Sequence, residues 1–186
     1  MKSTEFSLSD LVVRKLNEDE SVCRFDCGDD DLNDFILNDV RVYRFAKLAV
    51  TYVMCNKMDT NHVLAFCSLA NDRVSMSDFE NSTEFNRFRR HQHFPQSKRL
   101  KSYPAVKLCR LAVDNSAKGM SAGSSLLDFV KTYFVSDNKT GCRFITVDAY
   151  IDAIPFYEKN GFLPLNSDDE DSQYTRLLYF DLNDLS

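Results

Sequence analysis

Runs of strand-forming residues recur along the whole chain. Continuous apolar stretches such as Leu48–Cys55 and Val63–Ala70 are typical of strands that are buried on both faces. The short polar turn between these two runs predicts that they pair as an antiparallel hairpin. In all, the pattern predicts strands at residues 11–16, 48–55, 63–70, 105–113, 143–149 and 174–182.

Helical spacing separates some of these strands. Apolar residues at i, i+3 and i+4 predict an amphipathic helix of about four turns, capped by Asp29 or Asp30. Its apolar face consists of Leu32, Phe35, Ile36, Val40 and Tyr43. A second helix is predicted over residues 122–135. A short third helix tolerates Pro155 in its first turn and ends at Gly161, which can adopt the left-handed conformation.

Composition favours one globular domain. The chain has 186 residues, 44% of them hydrophobic, which is enough for one well-buried core and short for two. We therefore predict a single α+β domain, residues 1–186, with one central sheet. The formal net charge of -5 argues against a chain that coats nucleic acid or acidic membranes with its whole surface. Because no apolar run approaches the ~20 residues of a membrane helix and the first residues lack a signal-peptide stretch, we expect a cytoplasmic protein.

Positive charge is concentrated in one segment. Residues 75–103 have no clean period, so no element is predicted there, and no acidic residue lies between Glu84 and Asp114. The cations of this interval are Arg87, Arg89, Arg90, Lys98, Arg99, Lys101, Lys107 and Arg110. We predict one basic face, which either holds nucleic-acid phosphates or is an ordinary solvated loop.

Metal binding is not predicted. The six cysteines lie in apolar segments without a Cys-x-x-Cys pair and are interpreted as buried free thiols. Cys23 and Cys27 are four residues apart, but no second pair with ligand spacing follows. His91 and His93 have no evident third ligand nearby and are interpreted as surface residues.

Candidate chemistry begins at a loop of small residues between a strand and a helix. It follows Leu111–Asp114 and has the sequence Lys118-Gly119-Met120-Ser121-Ala122-Gly123-Ser124. At such a position backbone N–H groups point outwards at the positive end of a helix, and small side chains let a diphosphate approach. Lys118 adds a full positive charge. Small-residue loops before helices are also common as simple tight turns.

A second segment follows the strand that ends at Val147-Asp148-Ala149. Its sequence is Ala153-Ile154-Pro155-Phe156-Tyr157-Glu158-Lys159-Asn160-Gly161-Phe162. The two segments together resemble motifs A and B of the GNAT superfamily of N-acetyltransferases, an R/Q-x-x-G-x-G/A loop and an Ala-x-x-x-Tyr-Glu-Lys-x-Gly-Phe helix. The resemblance implies a three-layer α/β/α GNAT fold, with a mixed, mostly antiparallel sheet of about six to seven strands and about four helices.

The resemblance also implies a mechanism, the direct transfer of an acetyl group from acetyl-CoA to a primary amine in a ternary complex. Tyr157 takes the position of the catalytic tyrosine, which gives its proton to the leaving thiolate. The implied cofactor-binding residues are Leu111, Ala112 and Val113 for the pantetheine arm and Lys118, Gly119, Met120, Ser121, Ala122, Gly123 and Ser124 for the pyrophosphate. Without the first motif, Tyr157 would be interpreted as a core aromatic of an amphipathic helix.

The chain departs from the family pattern at several positions. Lys118 stands where Arg or Gln is usual. Ser121 replaces the first glycine of the G-x-G/A pair, so its backbone must adopt a conformation that serine allows. Tyr150 stands where many members have an asparagine near the pantetheine arm. The strand 105–113 contains no carboxylate that could act as general base. Asp148 is a weak candidate and an ordered water is an equally good one, so the base is unassigned.

Four short segments are similar to the GNAT branch that includes toxins of toxin–antitoxin pairs, which acetylate the α-amine of aminoacyl-tRNA. They are Phe25–Gly28, Leu32–Ile36, Ala49–Val53 and Arg110–Asp114. In this interpretation tRNA binds through Arg87, Arg89, Arg90, Lys98, Arg99 and Lys101, beside Phe88, Phe94 and Tyr103. Alternatively, this basic stretch lines the mouth of a CoA pocket, since CoA itself carries several phosphate charges. The alternatives are transfer to a small-molecule or protein amine, and a non-catalytic binding module with a cofactor site impaired at Ser121. A homodimer is a further expectation of the family.

Overall fold

The computed structural model describes residues 10–94, 100–136, 140–166 and 174–185. Its strands are β1 (Leu11–Lys15), β2 (Val50–Asn56), β3 (Asp59–Ser75), β4 (Ser102–Val113), β5 (Phe144–Tyr150), β6 (Leu163–Pro164) and β7 (Thr175–Asp181). They form a sheet of order β1-β2-β3-β4-β5-β7-β6. Strands β4 and β5 pair in parallel, whereas β1–β2, β2–β3, β5–β7 and β6–β7 pair antiparallel. The predicted α+β class with a mixed, mostly antiparallel sheet is confirmed.

The helices lie between the strands in the predicted order, with one addition. They are α1 (Asp30–Asp34), α2 (Val40–Phe45), α3 (Ser82–His91), α4 (Ala122–Ser136) and α5 (Ile154–Lys159). A π-helical segment, Phe35–Asp39, joins α1 to α2, so the predicted first helix is one run with an internal π turn. Asp29 caps it as predicted, because its carboxylate accepts the Leu32 N–H at 3.0 Å.

Helix α3 lies where no element was predicted. Asn81 caps it by accepting the Thr83 and Glu84 N–H groups, both at 3.0 Å. Its inner face consists of Phe85 and Phe88, one turn apart. Two apolar positions in a ten-residue helix give too weak a period to detect in the sequence.

The described residues divide into two compact units. The first comprises the residues up to Ala70 together with Leu108–Thr132, and the second comprises Asn71–Lys107 together with the residues from Tyr133 onwards. The long strands β3 and β4 contribute to both units.

The first unit contains β1, β2, the first helical run and α4 as far as Thr132. Its core includes Leu16, Phe25, Phe35, Ile36, Val53 and Phe66. At its edge Arg14 donates to the Glu20 carboxylate at 2.8 and 2.6 Å. This hydrogen-bonded ion pair holds the pKa of Glu20 below its ordinary value.

The second unit has an aromatic core. Its buried members include Phe79, Phe85, Tyr103, Phe144 and Tyr179, and Phe88 and Phe94 pack against them. Beside this core, Asp181 is only 4% exposed and accepts from Arg143 Nη2 at 2.8 Å. The other guanidinium contact, Arg143 Nε to Asp181 Oδ1, is 2.7 Å.

The cysteine prediction is correct for some residues and wrong for others. Cys55 and Cys67 are buried free thiols, whereas Cys23 and Cys109 are exposed. Cys109 points outwards because it follows the buried Leu108 on β4, and successive strand residues face opposite sides. Burial raises the pKa of Cys67 to about 12.

The model also bears on membrane and metal sites. None of the helices in the described part of the chain is long and apolar enough to cross a membrane. Among the same residues, no group of three or more His, Cys, Asp or Glu side chains comes together as a potential metal site. His91 and His93 are exposed, as predicted.

Candidate active site

The strand that carries the pantetheine candidates ends just before Asp114. Leu111, Ala112 and Val113 are the last residues of β4, in the first unit, and Ala112 belongs to its core. The Asp114 N–H then donates to the Leu64 carbonyl of β3 at 2.8 Å. This bond fixes the point at which the chain leaves the sheet and enters the loop.

Asp114 shapes the start of the loop with its side chain. The carboxylate accepts the Ser116 N–H at 2.9 Å and its hydroxyl at 2.6 Å, which caps a single 3-10 turn over Asn115–Ala117. Burial by itself would raise the pKa of this carboxyl, but these bonds and one from the Asp26 N–H together lower it below its ordinary value. Asp114 therefore stays ionised and keeps the turn closed at neutral pH.

Two residues of the loop have a left-handed backbone. Gly119 has φ +82° and Ser121 has φ +57°. The left-handed region disfavours side chains other than those of Gly, Asn and Asp, so serine at position 121 is strained. Ser121 thus adopts the left-handed backbone that the family's glycine would take at this position. For serine this conformation lowers the stability of the fold.

Helix α4 begins directly after this loop. The Ser121 carbonyl accepts the Ser125 N–H at 3.0 Å, so the N–H groups of Ala122, Gly123 and Ser124 form the first turn. First-turn N–H groups have no acceptor within their own helix and lie at its positive end. Ala122 and Gly123 are buried, and the buried Leu126 and Leu127 follow them along the helix.

Lys118, the cation of the loop, is exposed at its outer side. Its Nζ donates to the Cys27 carbonyl at 3.1 Å. An ammonium group has three donors, and the described residues provide Lys118 with this one acceptor. This hydrogen bond positions the Lys118 side chain and leaves two of its N–H donors for an anion.

Tyr157 lies in the second unit, on α5. It is 7% exposed and packs edge-to-face against Phe156 and Phe162, at centroid distances of 5.2 and 5.4 Å. After α5 the chain makes a Schellman turn, with the Gly161 N–H donating to the Glu158 carbonyl at 2.9 Å and the Phe162 N–H to the Tyr157 carbonyl at 3.1 Å.

The glycine that ends α5 has two reasons to be there. Gly161 has φ +82°, and a Cβ at this position would lie 3.1 Å from the Phe180 ring. The Tyr-x-x-x-Gly-Phe spacing is thus the spacing of a Schellman turn whose two aromatic residues contact each other. The buried ring of Tyr157 is compatible with a core role as well as a catalytic one.

Two other sequence candidates lie on β5. Asp148 forms an ion pair with Lys107, so its carboxylate is already engaged by a cation. Tyr150 ends the strand and is 61% exposed.

The described cations from Arg87 to Lys107 lie in the second unit and only partly form a basic surface, whereas Arg110 lies in the first unit. Arg87, Arg90 and Lys101 are exposed. Arg89 is half-buried, stacks over Phe85 at 5.7 Å and donates to Asn86. Lys98 and Arg99 lie outside the described residues.

The aromatic side chains that were expected beside these cations pack in the second unit, where Tyr103 is buried and Phe88 and Phe94 are half-buried. Tyr103 is 6% exposed and stacks on Phe94 at 3.9 Å, and Phe88 packs on Phe144 and Tyr179. They pack together as the core of this unit. That they accompany a nucleic-acid face stays a prediction.

The mutual contacts of one set of residues at the site were not predicted from the sequence. Asp26, Asn33 and Asp114 hold the loop from behind through hydrogen bonds that join positions up to 88 residues apart. Asp26-Cys27-Gly28 is recognisable in the sequence as a turn, but nothing local indicates what it contacts.

Part of the chain matches a known protein family. Residues 96–175 match the family model of an acetyltransferase (GNAT) domain. The resemblance to the GNAT superfamily is thus confirmed, and the seven-stranded sheet with its helices is the GNAT fold. No curated protein sequence is significantly similar to the chain.

Several solved structures share the fold. The protein AtaT complexed with acetyl-methionyl-tRNAfMet is 24% identical, with a TM-score of 0.74 over 95% of this chain and 97% of that one. A mutant of the AtaT toxin bound to the C-terminus of the antitoxin AtaR and acetyl-CoA is 24% identical, with a TM-score of 0.69 over 95% and 96%. A tyrosine-to-phenylalanine mutant of KacT is 20% identical, with a TM-score of 0.74 over 95% and 97%.

Proposed function

We propose that this chain is an acetyl-CoA-dependent N-acetyltransferase that moves the acetyl group directly to a primary amine. The observation that carries the proposal is the loop from Lys118 to Ser124, with left-handed backbone at Gly119 and Ser121, opening into the first turn of α4 within a GNAT domain. Such a loop suits a diphosphate because N–H donors, a helix dipole and a lysine act on the same anion.

In the proposed reaction, acetyl-CoA supplies the thioester and the protein supplies position and protons. Leu111, Ala112 and Val113 hold the pantetheine arm with their main chain, and an N–H of this strand polarises the thioester carbonyl. The amine attacks that carbonyl, the C–S bond breaks, and Tyr157 gives its proton to the departing thiolate. The proton lost by the amine goes to water, since Asp148 is paired with Lys107.

For the acceptor we propose the α-amine of an aminoacyl-tRNA. AtaT is a structural neighbour whose complex contains acetyl-methionyl-tRNAfMet. In this chain the exposed cations Arg87, Arg90 and Lys101 would contact RNA phosphates, together with Lys98 and Arg99. An α-amine next to an ester is less basic than a lysine amine, so it needs no strong base. The remaining candidates are a small-molecule or protein amine.

Three further parts of the proposal concern the context of the enzyme. We propose that it acts in the cytoplasm, that it forms a homodimer, and that an antitoxin-like protein is its partner, as AtaR is for AtaT. Residues 1–186 would act as a single domain although the described residues cluster into two compact units.

The test is transfer of labelled acetyl from acetyl-CoA by the purified protein to aminoacyl-tRNA, polyamines and a peptide pool, in parallel. We expect labelled aminoacyl-tRNA, and a loss of turnover in Tyr157→Phe with little change in the Kd for acetyl-CoA. Label only in small amines or peptides refutes the tRNA acceptor. No transfer and no thermal shift with acetyl-CoA refutes the enzyme and favours a non-catalytic binding module.

The RNA interface has its own test. Replacing Arg87, Arg90 and Lys101 by glutamine should raise the KM for aminoacyl-tRNA and reduce its salt dependence, because each phosphate that is no longer neutralised lowers the salt slope by about one. Acetylation of a short peptide or amine should not change. An unchanged KM for tRNA would contradict this assignment.

A further inference from the structure

The loop of the candidate site rests on a second turn, far away in sequence. The Asp26 N–H donates to Asp114 Oδ2 at 2.9 Å, and the Asn115 N–H donates to the Asp26 carbonyl at 2.7 Å. Further along both segments, Lys118 Nζ donates to the Cys27 carbonyl at 3.1 Å. These hydrogen bonds join the turn 26–28 to the loop 114–118, inside the first unit.

The turn owes its shape to the Asp26 side chain. Asp26 Oδ1 accepts the Gly28 N–H at 2.9 Å and Asn33 Nδ2 at 3.2 Å. Asn33, on α1, accepts the Cys27 N–H in return at 2.9 Å. With Gly28 at φ +85°, these bonds aim the carbonyl groups of residues 26 and 27 at the loop.

The Asp26 carboxylate also interacts with the loop through Asn115. Hydrogen bonds from the Gly28 N–H, Asn33 and Asn115 lower the pKa of Asp26 below its ordinary value. The Asp26 carboxylate is thus ionised and hydrogen-bonded at neutral pH, although the side chain is exposed. An exposed aspartate that gathers groups from three segments is more constrained than a solvated surface residue.

These contacts lie beside the residues that would hold the pyrophosphate. Lys118 is shared between the turn and the proposed site, and Gly119 and Ser121 come shortly after it. A left-handed backbone at a residue such as Ser121 persists only where the surrounding structure holds it, so the shape of the loop depends on its neighbours. A loop that is already ordered loses less entropy when an anion binds.

We propose that Asp26 is a positioning residue for the acetyl-CoA loop. Through the turn 26–28 it keeps Asp114, Asn115 and Lys118 in the arrangement that receives the diphosphate. The inference rests on the proposed function, since it names the element that orders the cofactor site. It also gives the Phe25-Asp26-Cys27-Gly28 segment a physical role.

The experiment compares Asp26→Ala, Asp26→Asn and the control Asp31→Asn, which changes an exposed aspartate in the first turn of α1. Acetyl-CoA binding is measured by calorimetry at a temperature where all variants are folded. Hydrogen exchange of amides 115–120 is measured in the free proteins. Steady-state kinetics give KM for acetyl-CoA, KM for the acceptor and kcat.

For Asp26→Ala we expect the Kd and KM for acetyl-CoA to rise about fivefold, the scale of one hydrogen bond. Exchange at amides 115–120 should become faster, with kcat and the acceptor KM unchanged. Asp26→Asn keeps an acceptor oxygen and should restore most of the affinity, while Asp31→Asn should match the wild type. A merely structural role would lower thermal stability without this KM-specific change.

Other outcomes separate the two ideas. If the wild type binds acetyl-CoA and Asp26→Ala binds it equally well, the positioning role is wrong and the proposed function stands. If the wild type does not bind acetyl-CoA, the proposed function fails, and the role of Asp26 toward a cofactor fails with it. Unchanged exchange at amides 115–120 in Asp26→Ala overturns the claim that the turn orders the loop, whatever the binding result.

Discussion

The strained serine of the loop allows a sharp test of the local structure. Ser121 has φ +57°, in the region where glycine is at ease and most other residues are not. Ser121→Gly should therefore stabilise the protein, although substitutions to glycine usually lower the stability of a folded protein. The substitution keeps the carbonyl that accepts the Ser125 N–H.

The magnitude is a difference of two effects. A non-glycine residue in left-handed conformation is disfavoured by about 1–2 kcal/mol. Against this, glycine adds about 0.4–1 kcal/mol of conformational entropy to the unfolded chain. The net expectation is an increase of about 0.5–1 kcal/mol in the free energy of unfolding.

The matched control is Ser125→Gly, the same change one turn further along the chain. Ser125 lies inside α4, where glycine has a lower helix propensity than serine by about 0.5 kcal/mol. The two variants should shift stability in opposite directions. Urea denaturation followed by far-UV circular dichroism measures both, since the chain has no tryptophan. Equal signs for the two variants would show that the strain at Ser121 is not real.

Three further predictions concern side chains elsewhere. Asp181→Asn removes the buried charge that pairs with Arg143 and should lower the free energy of unfolding, measured in urea, by about 2–3 kcal/mol. Asp148→Asn, in the more exposed ion pair with Lys107, should lower it by only about 0–1 kcal/mol, and equal losses in the two variants would contradict this expectation. Because its hydrogen-bonded arginine lowers the pKa of Glu20, the ion pair stabilises the fold above the ordinary value of 4.5 and is lost as pH falls through the lower, folded-state pKa. Wild type and Glu20→Gln should therefore differ in stability at pH 7 and converge at low pH, and a constant difference would refute the linkage. Cys67, with its pKa raised to about 12, should resist a thiol reagent in the native protein while exposed Cys23 reacts; modification of both at the same rate would be inconsistent with the burial.

Local patterns carried most of the element predictions. The hairpin of β2 and β3, the helix α4 and the glycine at the end of α5 follow from apolar spacing and backbone preference, which act over a few residues. Helix α3 and the two-residue strand β6 were missed because neither has enough apolar positions to produce a period. The π segment was invisible for a similar reason, since one extra residue in a turn does not disturb the i, i+3 spacing that surrounds it.

The basic segment illustrates a different limit. Charge counting located its cations, but the aromatic residues among them turned out to be core. Phe88 and Phe94 pack against Tyr103, Phe144 and Tyr179, which lie on three different strands. Whether an aromatic residue is exposed depends on partners from distant segments, which the local sequence does not reveal.

By itself, the sequence determined the order of the main strands and helices and the glycine turn that follows α5, because short-range periodicity and turn chemistry are local properties. The role of the loop from Lys118 to Ser124 and that of Tyr157 stay predictions from the family resemblance. Tertiary structure alone decided that Ser121 is left-handed, that Asp114 stays charged behind the loop, and that the turn at Asp26 supports it. The charge of Asp114 and its contact with the turn depend on a hydrogen bond between positions 88 residues apart. Such contacts exist only once the chain has folded, so no local pattern can encode them visibly.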